Sequence, residues 1–140
     1  MAVKNKKEDD MKRVITFGTF DVFHVGHLRI LERAKSFGDN LTVGVSTDQM
    51  TFDKKGRYPV YCQTEREKII RALRCVDYVF WEESLDLKRH YLLIYKADML
   101  VMGDDWVGRF DDLQDICEVR YLPRTPSVST TAIIEKIKNT

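Results

Sequence analysis

The sequence predicts an α/β protein whose mostly parallel sheet is doubly wound, with helices on both faces. Three observations carry that expectation. Short β-favouring apolar runs alternate with stretches of helical periodicity along the chain. Strands separated by helices must run parallel and be covered on both sides. The segments richest in histidine, arginine and hydroxyl groups follow strand ends, where ligands bind in such folds.

The elements are read in order. Residues 14–17 (Val-Ile-Thr-Phe) suit a buried first strand. A helix is expected over 26–37, with Leu28, Leu31 and Ala34 at helical spacing and Gly38 as its stop. Residues 41–46 form a second strand. The chain then turns polar over 47–63, with Lys54, Lys55, Gly56, Arg57 and Pro59, and reads as a long functional loop. Thr64-Glu65-Arg66-Glu67 has the form of a capping box opening a helix that carries Ile69, Ile70 and Leu73. Strands over 78–81, 99–102 and 118–122, and helices over 88–95 and 130–138, complete the pattern.

Composition limits the function classes. A chain of 140 residues holds one domain, read as 12–140, behind a polar leader over 1–11 that is expected to be disordered. Hydrophobic residues at 44% and charged residues at 32% are ordinary for a globular protein and argue against a disordered chain. A net charge of +1 argues against nonspecific nucleic-acid binding. No apolar run approaches the ~20 residues that span a bilayer. Cys62, Cys75 and Cys117 are odd in number and form no C-x-x-C pair, which fits reduced thiols in a cytoplasmic protein better than a disulfide framework or zinc knuckle.

After the first strand comes Gly18-Thr19-Phe20-Asp21, then His24-Val25-Gly26-His27 at the opening of a helix. Residues three apart share a face of the first turn. The helix end adds free N–H groups and a positive dipole. Gly26 has no side chain to hold a phosphate away. Together these suit a polyphosphate, with imidazoles donating to phosphoryl oxygens. After the fifth strand, Arg124-Thr125-Pro126-Ser127-Val128-Ser129-Thr130-Thr131 offers an arginine, hydroxyls and a second helix start, with Ser129 or Thr130 as cap. Gly103-Asp104-Asp105-Trp106 follows the fourth strand and fits either helix-capping aspartates or a carboxylate for nucleotide or magnesium. His90 stands outside any motif.

These segments resemble the two signatures of the cytidylyltransferase branch of the H-x-G-H nucleotidyltransferase superfamily. Residues 101–106 and 121–125 are similar to the wording of its glycerol-3-phosphate cytidylyltransferases, and the resemblance runs from about Lys12 to the C-terminus. It implies a Rossmann-like nucleotidyltransferase fold, a homodimer, Mg2+ dependence and CTP as donor. The implied reaction transfers CMP from CTP to a phosphorylated alcohol, foremost sn-glycerol 3-phosphate, giving CDP-glycerol and pyrophosphate. Another phospho-alcohol acceptor, or a catalytically silent nucleotide-binding module, is the alternative.

By position, the resemblance places Thr19, Phe20 and Gly26 on the nucleotide, and His24 and His27 on its phosphates. Lys55 and Arg57 fall where the family has two lysines for CTP and acceptor phosphates. Arg66 and Lys88 are assigned to the acceptor, Arg74 to the nucleotide, and Asp104 and Trp106 to cytosine and ribose. Arg124, Thr125, Ser129, Thr130 and Thr131 wrap the phosphates. His24, His27, Lys55 and Arg124 carry catalysis, and no direct side-chain ligation of metal is expected. Three residues depart from the family's pattern: Ser127 replaces glycine, Val128 isoleucine, and Arg57 lysine. No G-x-G-x-x-G follows the first strand, which argues against a dinucleotide-dependent oxidoreductase.

Overall fold

The computed structural model describes residues 10–126 and 128–140. Residues 1–9 of the expected leader, and Ser127, lie outside the described residues.

Among the described residues, five strands form one sheet: β1 (Arg13–Gly18), β2 (Asn40–Ser46), β3 (Tyr78–Glu82), β4 (Met99–Gly103) and β5 (Glu118–Leu122). Their order is β3-β2-β1-β4-β5, and every pairing is parallel. β1 lies at the centre, with Thr16 opposite both Val43 and Val101. The buried Thr16 hydroxyl donates to the Val101 carbonyl at 2.6 Å, joining the two halves. The direction of winding reverses between β1 and β4, so a crevice opens there at the carboxyl ends of the strands.

Helices α1 (Val25–Ser36), α2 (Asp48–Lys55), α3 (Gln63–Arg71), α4 (Lys88–Ile94) and α5 (Thr130–Lys138) make the connections and the C-terminal cover. Side chains alternate across each strand, so two cores result. On one face Val14, Val43 and Val101 pack with Leu31 and Ala34 of α1 and Ile70 of α3. On the other, Ile15, Phe17 and Leu100 pack with Tyr91 and Leu92 of α4. Short 3-10 turns at Asp104–Trp106 and Asp111–Leu113 replace a full helix between β4 and β5.

Two elements differ from the expectation. The polar stretch after β2 is not a continuous loop, because it contains α2. Thr47 caps this helix through its Oγ1, which accepts from the Met50 N–H at 3.1 Å. Gly56 ends it at φ 72, a left-handed conformation that favours glycine, with its N–H donating to the Phe52 carbonyl at 2.7 Å. Buried Met50 and Thr51 anchor it, too few apolar positions for a visible period. The Thr64 capping box does not form either. α3 starts at Gln63 with Cys62 as a cap that makes no side-chain bond. The Gln63 Oε1 instead accepts the Asp48 N–H at 2.8 Å, tying α3 to the start of α2.

All three cysteines are free, and Cys117 is buried. Among the described residues, no helix is long and apolar enough to cross a membrane.

Candidate active site

A cleft of about 1160 Å³ opens at the carboxyl ends of the strands, over the point where the winding reverses. That volume exceeds the range usual for a single small ligand, ~300–1,000 Å³. The H-x-G-H segment forms its centre.

His24 lies just outside α1, in extended conformation, as the N-cap. Its Nδ1 accepts the Gly26 N–H at 3.0 Å, and the Nδ1 of His27 accepts the His24 N–H at 3.3 Å. Two imidazoles thus do the work that a serine and a glutamate perform in an ordinary capping box. The rings stack with centroids 3.8 Å apart. A Cβ on Gly26 would sit 2.8 Å from the His24 Cε1, so glycine is required for this ring to fold back over the helix start. Phe20 and Phe23 hold the His27 ring from behind, each with centroids at 5.5 Å.

The bonding fixes the protons. An Nδ1 that accepts a hydrogen bond is unprotonated, so each neutral ring carries its proton on Nε2. Burial pushes the His27 pKa down to about 3, assisted by His24 and Lys55 and opposed by Asp21. Burial also lowers His24. At pH 7 both are therefore neutral donors through Nε2–H rather than cations.

A second helix start meets the first. Ser129 caps α5 by accepting the Ala132 N–H at 3.0 Å. The Thr130 hydroxyl donates to the Asp21 carbonyl at 3.0 Å and lies 3.4 Å from the His24 Nε2. The N-termini of α1 and α5 thus converge on one spot, where their free N–H groups and dipoles favour an anion.

Cations surround that spot. Lys54, Lys55 and Arg57 reach the cleft from α2 and the turn after it. Burial lowers the Lys54 pKa, and its Nζ stands 5.9 Å from the centre of the Trp106 ring. Arg109 lies 5.5 Å from the same ring. Arg124, after β5, is ion-paired with Asp105, and both groups are substantially exposed. At the opposite end, Lys88 is buried between the rings of Phe17 and Phe110, its Nζ 2.6 Å from the Glu82 carboxylate.

The profile described as Cytidylyltransferase-like matches residues 15–136. The chain belongs to the cytidylyltransferase-like family. It is 48% identical over 128 residues to the glycerol-3-phosphate cytidylyltransferase of Bacillus subtilis, covering 91% of this chain and 98% of that one. A protein of the same description from Staphylococcus aureus is 42% identical, covering 91% of this chain and 96% of that one. Among solved structures, a lipopolysaccharide core biosynthesis protein from Thermoplasma volcanium superposes with a TM-score of 0.72 over 82% of this chain and 98% of that one. At 24% identity it shares the fold.

Against this family's cleft, the expected residues divide. Thr19, Phe20, His24, Gly26 and His27 line it, as do Lys55, Arg57, Lys88 and Trp106. So do Arg124, Thr125, Ser129, Thr130 and Thr131. Three do not. Arg66 is fully buried beneath the cleft, and its guanidinium donates to the carbonyls of Thr19, Ser46 and Tyr61 and to Asp48. With those bonds made it braces the site and does not face an acceptor. Arg74 lies in the turn leading into β3, at the amino end of a parallel strand, and so at the end of the sheet remote from the cleft. Asp104 is exposed outside the cleft, and its neighbour Asp105 faces Arg124 instead.

The cleft residues to which sequence reading assigned no role include Lys54, Glu82 and Asp21. Lys54 shares the end of α2 with Lys55, and the helix itself had to be seen to separate them. Glu82 is a buried acid at the end of a strand. Asp21 sits between Phe20 at φ 54 and Val22 at φ 47, a turn whose strain no local pattern announced. Its carboxylate accepts the N–H groups of Val60 and Tyr61 at 2.7 and 2.9 Å.

Proposed function

We propose that the protein transfers CMP from CTP to sn-glycerol 3-phosphate, forming CDP-glycerol and releasing pyrophosphate. The relatives that match nearly its whole length bear the name of that activity. The observation that carries the chemistry is the pair of neutral Nε2–H donors of His24 and His27, set where two helix N-termini converge.

A phosphate monoester of the acceptor attacks the α-phosphorus in line as pyrophosphate departs. Its second pKa is near 6, so the nucleophile is already ionised at neutral pH and needs no general base. The barrier is crowded negative charge, which positioned donors and cations relieve. His24 and His27 donate to the oxygens at the reacting phosphorus. Lys54, Lys55, Arg57 and Arg124 balance the leaving group and the nucleotide phosphates.

Among the described residues, no group of three or more acidic, histidine or cysteine side chains could hold a metal ion. The cleft's charged groups are mainly cations, so Mg2+ would arrive with the nucleotide and would help offset its phosphate charge. A homodimer in the cytoplasm completes the reading. Exposed Leu93 and Ile94 on α4, with Tyr78 beside Tyr95 at 5.6 Å on the edge strand, support a self-contact there.

The test is pyrophosphate release with CTP, Mg2+ and a panel of sn-glycerol 3-phosphate, phosphoethanolamine, phosphocholine and ribitol 5-phosphate. Strong turnover with glycerol 3-phosphate is expected. Preference for another acceptor would replace the acceptor and keep the mechanism. No release with any acceptor, using CTP or ATP, would refute the enzyme assignment.

A further inference from the structure

We infer that Glu82 is the residue that reads the hydroxyl end of the acceptor, binding a vicinal diol through its carboxylate. This rests on the acceptor reading above and deepens it. The sheet order sets the geometry: β5, which leads to Arg124, and β3, which ends in Glu82, are at opposite edges with β1 and its histidines between them. Four strand steps at ~4.8 Å separate the two edges by about 19 Å. The cleft spans that width. With the histidines at the centre and Arg124 and the start of α5 at one edge, the buried carboxyl ends of β2 and β3, next to the cations of α2, are left for the acceptor's other terminus.

What lies there is unusual for a site receiving anions. Glu82 is 1% exposed yet lines the cleft, together with Ser46 at the end of β2. One carboxylate oxygen, Oε2, is bonded to Lys88 at 2.6 Å. Among the described residues, the other, Oε1, has as hydrogen-bond partner only the Ser46 hydroxyl at 3.5 Å, the outer limit of a hydrogen bond, although the charge of Lys54 is also felt there. A buried carboxylate oxygen so weakly bonded is costly unless a donor arrives. A phosphate offers none and is repelled. An alcohol offers one donor per hydroxyl, and adjacent hydroxyls match the spare acceptor sites of a carboxylate. Lys88, paired with the carboxylate, keeps the charge of the spot near neutral.

The experiment measures kcat/KM for the wild type and Glu82→Gln with three acceptors. These are sn-glycerol 3-phosphate, 3-hydroxypropyl phosphate, which lacks the 2-hydroxyl, and 2-hydroxypropyl phosphate, which lacks the terminal one. The wild type should prefer the diol by about tenfold to a hundredfold over each analogue, the size of a hydrogen bond to a charged group. In Glu82→Gln that preference should shrink to a few-fold, with KM for CTP unchanged. An equal loss for all three acceptors would overturn the inference, since it would mean that Glu82 acts only by holding Lys88. Should Glu82→Gln be unstable, Glu82→Asp keeps the charge, shortens the reach and should also lose the preference. A wild type indifferent to the missing hydroxyls would refute the inference without any variant. A wild type with cytidylyltransferase activity but none towards sn-glycerol 3-phosphate would overturn the acceptor reading, and this inference with it.

Discussion

The imidazoles of His24 and His27 stack with centroids 3.8 Å apart, and each spends its Nδ1 on a backbone N–H of the same helix start. Structure and chemistry therefore share the two rings, one nitrogen for each purpose. His27→Ala removes a donor at the reacting phosphorus, so turnover should fall by roughly 100- to 1,000-fold. It also removes the bond to the His24 N–H, at a cost of about 1 kcal/mol of stability. The motif alone suggests that folding is untouched. The capping bond says instead that a small drop in Tm accompanies the kinetic loss. Wild-type turnover in the variant would remove His27 from the mechanism.

Protonation supplies a second prediction. His27 titrates near 3 in the folded protein and near 6.5 when exposed. Between those values the unfolded chain binds a proton that the folded chain refuses. Stability is therefore lost as pH falls through 6.5 and the loss continues towards 3, while above 6.5 the group contributes no dependence. By pH 5 the loss is about 2 kcal/mol, and His24 shifts in the same direction. Urea unfolding at pH 7 and pH 5 should show a greater loss for the wild type than for His27→Gln. Equal losses would mean that His27 is not buried neutral.

Arg66 tests the distinction between bracing a site and binding at it. Its guanidinium is fully enclosed and joins three separate chain segments through the carbonyls of Thr19, Ser46 and Tyr61. Arg66→Met orphans those carbonyls and the Asp48 carboxylate. A loss of about 3–5 kcal/mol is expected, comparable with breaking a buried ion pair. For a domain of this size that lowers Tm by roughly 10–20 °C. In the fraction that remains folded below the transition, KM for the acceptor should change less than fivefold. A large KM effect with an unchanged Tm would restore Arg66 to the acceptor site.

The contrast between Arg66 and His24 shows how far the sequence was legible. The histidines lie within four residues of each other, so strand, turn and helix start fix their geometry locally. The strand–helix alternation likewise settled the sheet, because apolar runs such as Leu41, Val43 and Val45 leave few other folds. Arg66 depends on segments up to 47 residues away, and no local pattern counts the carbonyls that await it. Arg74 falls outside the cleft for a simpler reason. α3 runs from the cleft back to the amino end of β3, so the two arginines fall at different ends of one crossing. α2 escaped notice because its stability comes from the Thr47 cap and Gly56 rather than from an apolar stripe.

Asp21 gives the last prediction, because it is the joint at which three parts of the cleft meet. Its carboxylate holds the Val60 and Tyr61 amides, and its carbonyl accepts from Thr130 of α5. The segment it restrains follows directly after Arg57. Asp21→Ala frees that segment while leaving both histidine Nδ1 bonds in place. Binding should therefore suffer more than chemistry: KM for substrates rises by about tenfold, with a smaller change in kcat and a stability loss of roughly 1–3 kcal/mol. Amide hydrogen exchange provides an independent readout, since the Val60 and Tyr61 protons lose their acceptor and should exchange faster than in the wild type. Unchanged exchange at those two amides would show that the carboxylate does not hold the segment, and the kinetic effect would then need another cause. If exchange quickens and kcat collapses together, the segment positions the reacting groups as well as the substrates, because loosening it would have displaced Arg57 from the leaving group.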